Sequence, residues 1–270
     1  EAMLPQKPGD LKAIRRDEVF MLFTGSLLLG VFLISLTLTM LGLGGGLIYS
    51  PLFALVGFEK AMVASTSLFL NLVAAASAAG IYMRRGMVDY TVALPLLTAG
   101  LSAPLGAMTT HRIDTESFIA ILAVVVLFGA VRMLIAPRSE GVAEYQGTWK
   151  KICGSALIGL AVGFIAGLVG IGGGVFIVPL LIYALKIPTK TAAASNTFIV
   201  CFSSLTGFVT HASISTIDWP FVLLAAVFSF AGGQAGSRIM AGKLQGRTVR
   251  LLFAAVLFVM SGRLLYQALF

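Results

Sequence analysis

Two stretches of this chain place glycines and a proline where a helix inside an apolar run would break. Gly42-Leu-Gly44-Gly45-Gly46 is followed by Pro51, and Gly170-Ile-Gly172-Gly173-Gly174 by Pro179, in register at an offset of 128. A helix that starts after such glycines leaves the N–H groups of its first turn without helical partners and presents the positive end of its dipole there. That end is a seat for an anion. Glycine lets backbone approach an oxyanion closely, and each N–H that donates to a charged acceptor contributes roughly 1.5–3 kcal/mol. Gly44, Gly45, Gly46, Gly172, Gly173 and Gly174 are therefore candidate substrate-binding positions, with Pro51 and Pro179 as structural helix breaks. Downstream of each motif lies a stretch of small polar residues, Ser65-Thr66-Ser67 and Ser195-Asn196-Thr197, whose hydroxyl and amide groups can donate to a bound oxyanion or to broken backbone. His211, at the end of an apolar run, and Gln234, in a glycine-rich one, complete the candidate set, while Asn71 is either an interhelical hydrogen bond, the preferred reading, or a lumen group.

Other readings of the same residues are blander. Small residues also let membrane helices pack closely, which is the preferred account of Gly106 and Gly236. A dinucleotide fingerprint would need glycine at positions 47 and 175, which are Leu47 and Val175.

The elements that must position these groups follow from composition. Hydrophobic residues make up 58% and charged ones 11% of the 270 residues, against roughly 45–50% and 25% in soluble domains. Every acidic residue falls at the end of an apolar run or between runs, as a bilayer core demands. A net charge of +8 then reflects basic loops at a membrane surface, and no nucleic-acid partner is expected. Cys153 and Cys201 lie inside apolar runs as small hydrophobes, so no metal, cofactor or disulfide is expected. Glu1 and Ala2 precede Met3, the expected natural start, and the first apolar run is too long for a cleaved leader.

Apolar runs cover approximately residues 19–41, 47–58, 61–82, 90–108 and 117–135, and then 152–169, 175–185, 191–211, 219–241 and 251–270. The order long, short, long, long, long occurs twice. The expected organisation is an N-terminal extension (1–18), a first transmembrane repeat (19–135), a linker (136–151) and a second transmembrane repeat (152–270). Runs of about twenty residues cross a bilayer as helices, but about a dozen do not reach across. Each short run is thus expected to be a broken or re-entrant helix, a feature that points to a transporter's binding site. The fold class is an all-α polytopic membrane protein of two repeats, each of about five helical segments. Arg84, Arg85, Arg138, Lys150, Lys151, Lys186, Lys190, Lys243, Arg247 and Arg250 fall on one side only if each half crosses an odd number of times, which inverts the halves relative to each other. That scheme leaves Lys7, Lys12, Arg15 and Arg16 on the opposite side.

The paired motifs Gly42-x-Gly44-Gly45-Gly46-x4-Pro51 and Gly170-x-Gly172-Gly173-Gly174-x4-Pro179, each followed by a hydroxyl-rich stretch, resemble the TauE/SafE family of sulfite and organosulfonate exporters. The resemblance covers both halves. It implies a transporter of sulfite, sulfoacetate or other organosulfonates, multi-pass in the cell membrane, with its site between the repeats. No Gly-x-Ser-x-Gly elbow, metal-ligand pair or buried carboxylate pair supports a membrane-embedded enzyme, and the two histidines, His111 and His211, lie at segment ends. A ten-helix metabolite or drug exporter is the alternative plan. With no carboxylate in mid-membrane, a proton relay is not expected, whereas an anion leaving a negative interior gains about 2.3 kcal/mol per charge per 100 mV. Export by alternating access, driven by potential or by the substrate gradient, is the expected mechanism.

Overall fold

The protein, as a computed structural model, is described over residues 8–58, 60–99, 101–102, 105, 127, 130–131, 134, 148–169, 174–212 and 217–269. These residues are helical with no strand among them. The helices are α1 (Pro8–Met40), α2 (Gly46–Leu55), α3 (Lys60–Arg84), α4 (Tyr90–Leu96), α5 (Thr148–Val169), α6 (Gly174–Ala184), α7 (Thr189–Ala212), α8 (Trp219–Gly242) and α9 (Gly246–Leu269). Among the described residues, three helical stretches are long and apolar enough to cross a membrane: Ser65–Arg84, Thr189–Val209 and Trp219–Gly242. Large apolar side chains on the outside, such as Leu29, Leu157, Val209, Val227 and Val259, are more than half exposed, as a surface bathed in lipid requires.

The short runs form short helices. α2 has 10 residues and α6 has 11, about 15 Å of rise at 1.5 Å per residue, half a hydrocarbon core. Pro51 and Pro179 lie inside them and donate nothing to the helical ladder. Three boundaries differ from the sequence expectation. α1 is already helical at Pro8, the first described residue and well ahead of the apolar run. α5 begins at Thr148, inside the expected linker. The fourth segment does not run on as one helix: α4 contains Pro95, ends at Leu96, and gives way to tight turns in which Leu97 N–H donates to Leu94 O and Thr98 N–H to Pro95 O.

Helices α1 and α3 stop on glycine by the same device. At the end of α1, Gly42 takes φ +76° while Leu43 N–H returns to Leu38 O (2.9 Å) and Gly42 N–H to Thr39 O (3.1 Å). At the end of α3, Gly86 takes φ +63° while Met87 N–H returns to Tyr82 O (2.9 Å). Both are Schellman caps, which need the left-handed residue that glycine supplies without strain.

Packing fixes the helix directions. α3 and α7 lie antiparallel, with Leu68 against Gly207, Phe69 against Phe208 and Asn71 bonded to Ser204. α8 runs parallel to α1 and to α3: Ser229 meets Ser35 and Leu70, then Gly232, Gly233 and Gly236 press onto Ser35, Ala74 and Leu36. A Cβ at any of these three glycines would overlap neighbouring backbone, so they are close-packing positions. α4 runs parallel to α5, from the Asp89–Lys151 ion pair to the bond from Thr98 Oγ1 to Ala156 O (3.0 Å). These contacts gather the 84–89 loop, the start of α5, the start of α7 and the 242–246 turn at one end, where Arg85 also approaches Gly242. Far from that end, an aromatic cluster closes the bundle, with Phe53 and Phe58 stacked at 5.4 Å and Phe221 edge-on to both.

Candidate anion site at the first glycine turn

The turn between α1 and α2 sits in the crevice between α3 and α7, and each of its glycines has a distinct geometric reason. Gly42 caps α1, and a side chain there would overlap the Ala193 backbone of α7. Gly44 has φ +69° and abuts the Asn71 side chain of α3 and Val200 of α7. Gly45 lies against the Tyr49 ring, and Gly46 against Asn71.

Two amides hold this turn. Asn71 Oδ1 accepts from Gly45 N–H (2.5 Å) and Gly46 N–H (2.8 Å), while its Nδ2 donates to Ser204 Oγ on α7 (2.6 Å). Because backbone N–H groups only donate, the amide atom facing them is the oxygen, which fixes the orientation of the side chain. Asn196 Nδ2, from α7, donates to Gly42 O (2.7 Å). The two first-turn donors of α2 are thus engaged by an uncharged acceptor in this conformation.

The remaining sequence-predicted residues fall in three groups. Ser65, Thr66, Ser67, Ser195, Asn196 and Thr197 are all buried. Ser195 Oγ accepts from Asp89 N–H (3.1 Å) and Thr197 Oγ1 donates to Ala193 O on its own helix (3.0 Å). Thr66 Oγ1 and Ser67 Oγ are buried yet meet no hydrogen-bond partner among the described residues. Gln234 Nε2 donates to Ser77 O (3.0 Å), tying α8 to α3 beside Gly233 rather than to the glycine turn. Gly170, Gly172, Gly173, Gly106, the side chain of Gly174's neighbour Val175, and the side chain of His211 lie outside the described residues.

Sequence reasoning missed the supports. Tyr49, one turn into α2, reaches the buried hydroxyls of Ser35 and Ser229 and the Val31 carbonyl, and Ser229 Oγ donates to Leu70 O (2.8 Å), so the broken helix is fastened to α1, α8 and α3 together. Ser204 was findable: it stands seven residues after Thr197, on the same face of α7. Also findable was the dipeptide of acid and aromatic, Asp89-Tyr90 and Asp218-Trp219, which recurs at an offset of 129 and caps α4 and α8. Asp89 additionally pairs with Lys151 Nζ (3.1 Å). Burial pushes the Asp89 carboxyl upward, but hydrogen bonds from the Thr91 hydroxyl and Lys151, and the Lys151 charge, hold it below the usual carboxylate value.

Around the turn two backbone N–H groups converge on one amide oxygen, and no acidic group is among the residues named there. The family model described as Sulfite exporter TauE/SafE matches residues 27–264. The chain belongs to this family. TauE/SafE relatives match it over nearly their whole length: the probable membrane transporter protein YunE of Bacillus subtilis is 26% identical over 258 residues, 86% of this chain and 93% of that one. A probable membrane transporter protein of Xylella fastidiosa is 27% identical over 239 residues, covering 83% and 89% of the two chains. One of Methanocaldococcus jannaschii is 21% identical over 266 residues, covering 92% and 97%. No solved structure matches the chain. The protein is a membrane transporter of the TauE/SafE type.

Proposed function

We propose that this transporter exports small sulfur oxyanions, sulfite, sulfoacetate or other organosulfonates, across the cell membrane by alternating access between two inverted repeats. The observation that carries the reading is the 42–46 turn: a helix break between apolar runs, wedged between α3 and α7, with the N–H groups of Gly45 and Gly46 pointing at one buried acceptor position. Irregular backbone at membrane depth is tolerated where it is buried in protein or lines a cavity. Donors from the broken helix and the hydroxyls of Thr66 and Ser67 offset the desolvation of an anion, whose effective penalty is several kcal/mol.

Helix directions support inversion. α1 runs toward the end where Arg85, Lys151 and Gly242 meet, and α5, its counterpart in sequence order, runs away from it. α3 and α7 are antiparallel, α1 packs on α8, and α5 packs on α4. A first segment of each half against the fourth of the other is the exchange expected of a two-fold axis in the membrane plane. The basic loops gathered at one end favour that end as the cytoplasmic one in a multi-pass arrangement.

The test is sulfite efflux from proteoliposomes. A valinomycin-imposed potential, negative on the side holding sulfite, is expected to accelerate loss of sulfite. Efflux that ignores the potential and responds fully to a pH gradient overturns the potential-driven mechanism, and no sulfur-oxyanion flux above protein-free liposomes overturns the substrate class.

A further inference from the structure

The function just proposed leaves one residue without a role. Asn71 is 8% exposed on α3 and was read from the sequence as an interhelical hydrogen bond in preference to a lumen-facing group. Its oxygen instead occupies the point where the Gly45 and Gly46 N–H groups converge, at 2.5 and 2.8 Å, while its nitrogen holds Ser204 of α7 at 2.6 Å. One planar group therefore fills the anion seat in the first half and ties it to the second half. A second, independent observation stands one helical turn away on α3. Ser67 lies one turn before Asn71 on the same face of α3, is 2% exposed, and its hydroxyl meets no partner among the described residues. A buried hydroxyl without a partner costs free energy unless something else uses it.

We propose that Asn71 is an internal stand-in for the transported anion: its amide oxygen keeps the Gly45 and Gly46 donors satisfied when the seat is empty, and a bound oxyanion displaces it, releasing the Asn71–Ser204 tie between α3 and α7. This rests on the anion reading of the turn. The chemistry is one-sided. An oxyanion accepts hydrogen bonds and so replaces Oδ1 on the two N–H groups, but it donates none and cannot replace Nδ2 on Ser204. Binding at the turn therefore loosens a link between the halves, which is what a carrier needs: a contact that differs between its empty and loaded states. Substrates are selected against the same standard. A ligand has to bond the two N–H groups better than a neutral amide does, and a charged acceptor forms roughly twice as strong a bond, so anions displace Asn71 and neutral carbonyl solutes do not.

The sign of one affinity change decides the matter. Sulfite is titrated calorimetrically into the purified full-length protein and into Asn71→Ala. A stand-in competes with the substrate, so its removal is expected to tighten sulfite binding by about tenfold, the equivalent of one to two neutral hydrogen bonds. A direct ligand or a purely structural support weakens binding when removed, and weaker or unchanged binding by a folded Asn71→Ala overturns the proposal. Should that variant not fold, Ser204→Ala leaves the caps on Gly45 and Gly46 intact and removes only the far anchor; about threefold tighter binding is expected, one of the three bonds that hold Asn71 in place being lost, and equal or weaker binding overturns the proposal. Wild-type binding with either contrary result sinks the stand-in alone. Absence of heat with sulfite, sulfate, thiosulfate and sulfoacetate in the wild type and both variants sinks the anion reading, and the stand-in with it.

Discussion

Helices α3 and α7 each carry one asparagine to the 42–46 turn, and they grip it from opposite chemical ends. Asn71 accepts from the N–H groups of Gly45 and Gly46; Asn196 donates to the carbonyl of Gly42. In the register that aligns Ser65-Thr66-Ser67 with Ser195-Asn196-Thr197, the residue matching Asn196 is Thr66 and the residue matching Asn71 is Cys201. Neither carries an amide. The sequence carries the glycine–proline motif twice, yet among the described residues both amides serve the first copy. The lesson is that sequence symmetry sets the scaffold while single-residue departures from it assign different work to the two halves.

The strongest way to break this comparison is to damage the turn where α1 and α7 touch it. Gly42→Ala places a side chain at φ +76° and into the Ala193 backbone, and is expected to cost about 2–5 kcal/mol from backbone strain plus overpacking, read as a lost or strongly lowered melting transition in detergent. Gly80→Ala, inside α3 with open space around the new carbon, serves as its control and is expected to be neutral or stabilising by up to about 1 kcal/mol.

Next in size is the contrast between matched positions. Asn196→Ala leaves the Gly42 carbonyl without its side-chain donor and is expected to destabilise by about 1–3 kcal/mol. Thr66→Ala removes a buried hydroxyl that bonds nothing among the described residues, so its melting temperature is expected to stay within a degree or two, or to rise. Loss of sulfite binding in a stable Thr66→Ala would mark that hydroxyl as a ligand; equal destabilisation of the two variants would erase the distinction between the halves.

The smallest expected effect lies at the basic end. Asp89→Asn keeps the cap on α4 but removes the charge facing Lys151, a change worth less than about 1 kcal/mol in a solvent-screened pair. The folded Asp89 carboxyl sits below its ordinary value, so its contribution is present above that ordinary value, about 3.9, and disappears as pH falls through the folded one. Melting temperatures of wild type and variant are expected to differ at neutral pH and to converge in acid.

How much of this was legible beforehand follows the range of the interactions. The break before α2 was readable because glycine and proline act on their own backbone, while the one expected before α6 falls on residues 170–173, outside the described residues. The buried polar stretches of α3 and α7 were readable because hydroxyls in apolar runs stand out. The interhelical role of Asn71 was readable as a type of contact, but its partners were not: the acceptor position on Gly45 and Gly46 exists only once α2 is folded against α3. Tyr49 looked like one more apolar residue, since its bonds to Ser35 and Ser229 span three helices. The break after Leu96 was hidden inside a continuous apolar run, where hydropathy registers depth and not backbone direction.

The central claim is that an oxyanion binds at the first glycine turn, held between α3 and α7. Its most direct test is calorimetric titration of sulfite into the purified protein and into Asn196→Ala, both at a temperature where each is folded. One-to-one binding in the wild type, weakened at least about tenfold in the variant because the turn has lost a hydrogen bond that positions it, is the predicted result. Equal binding by the two proteins would contradict the account.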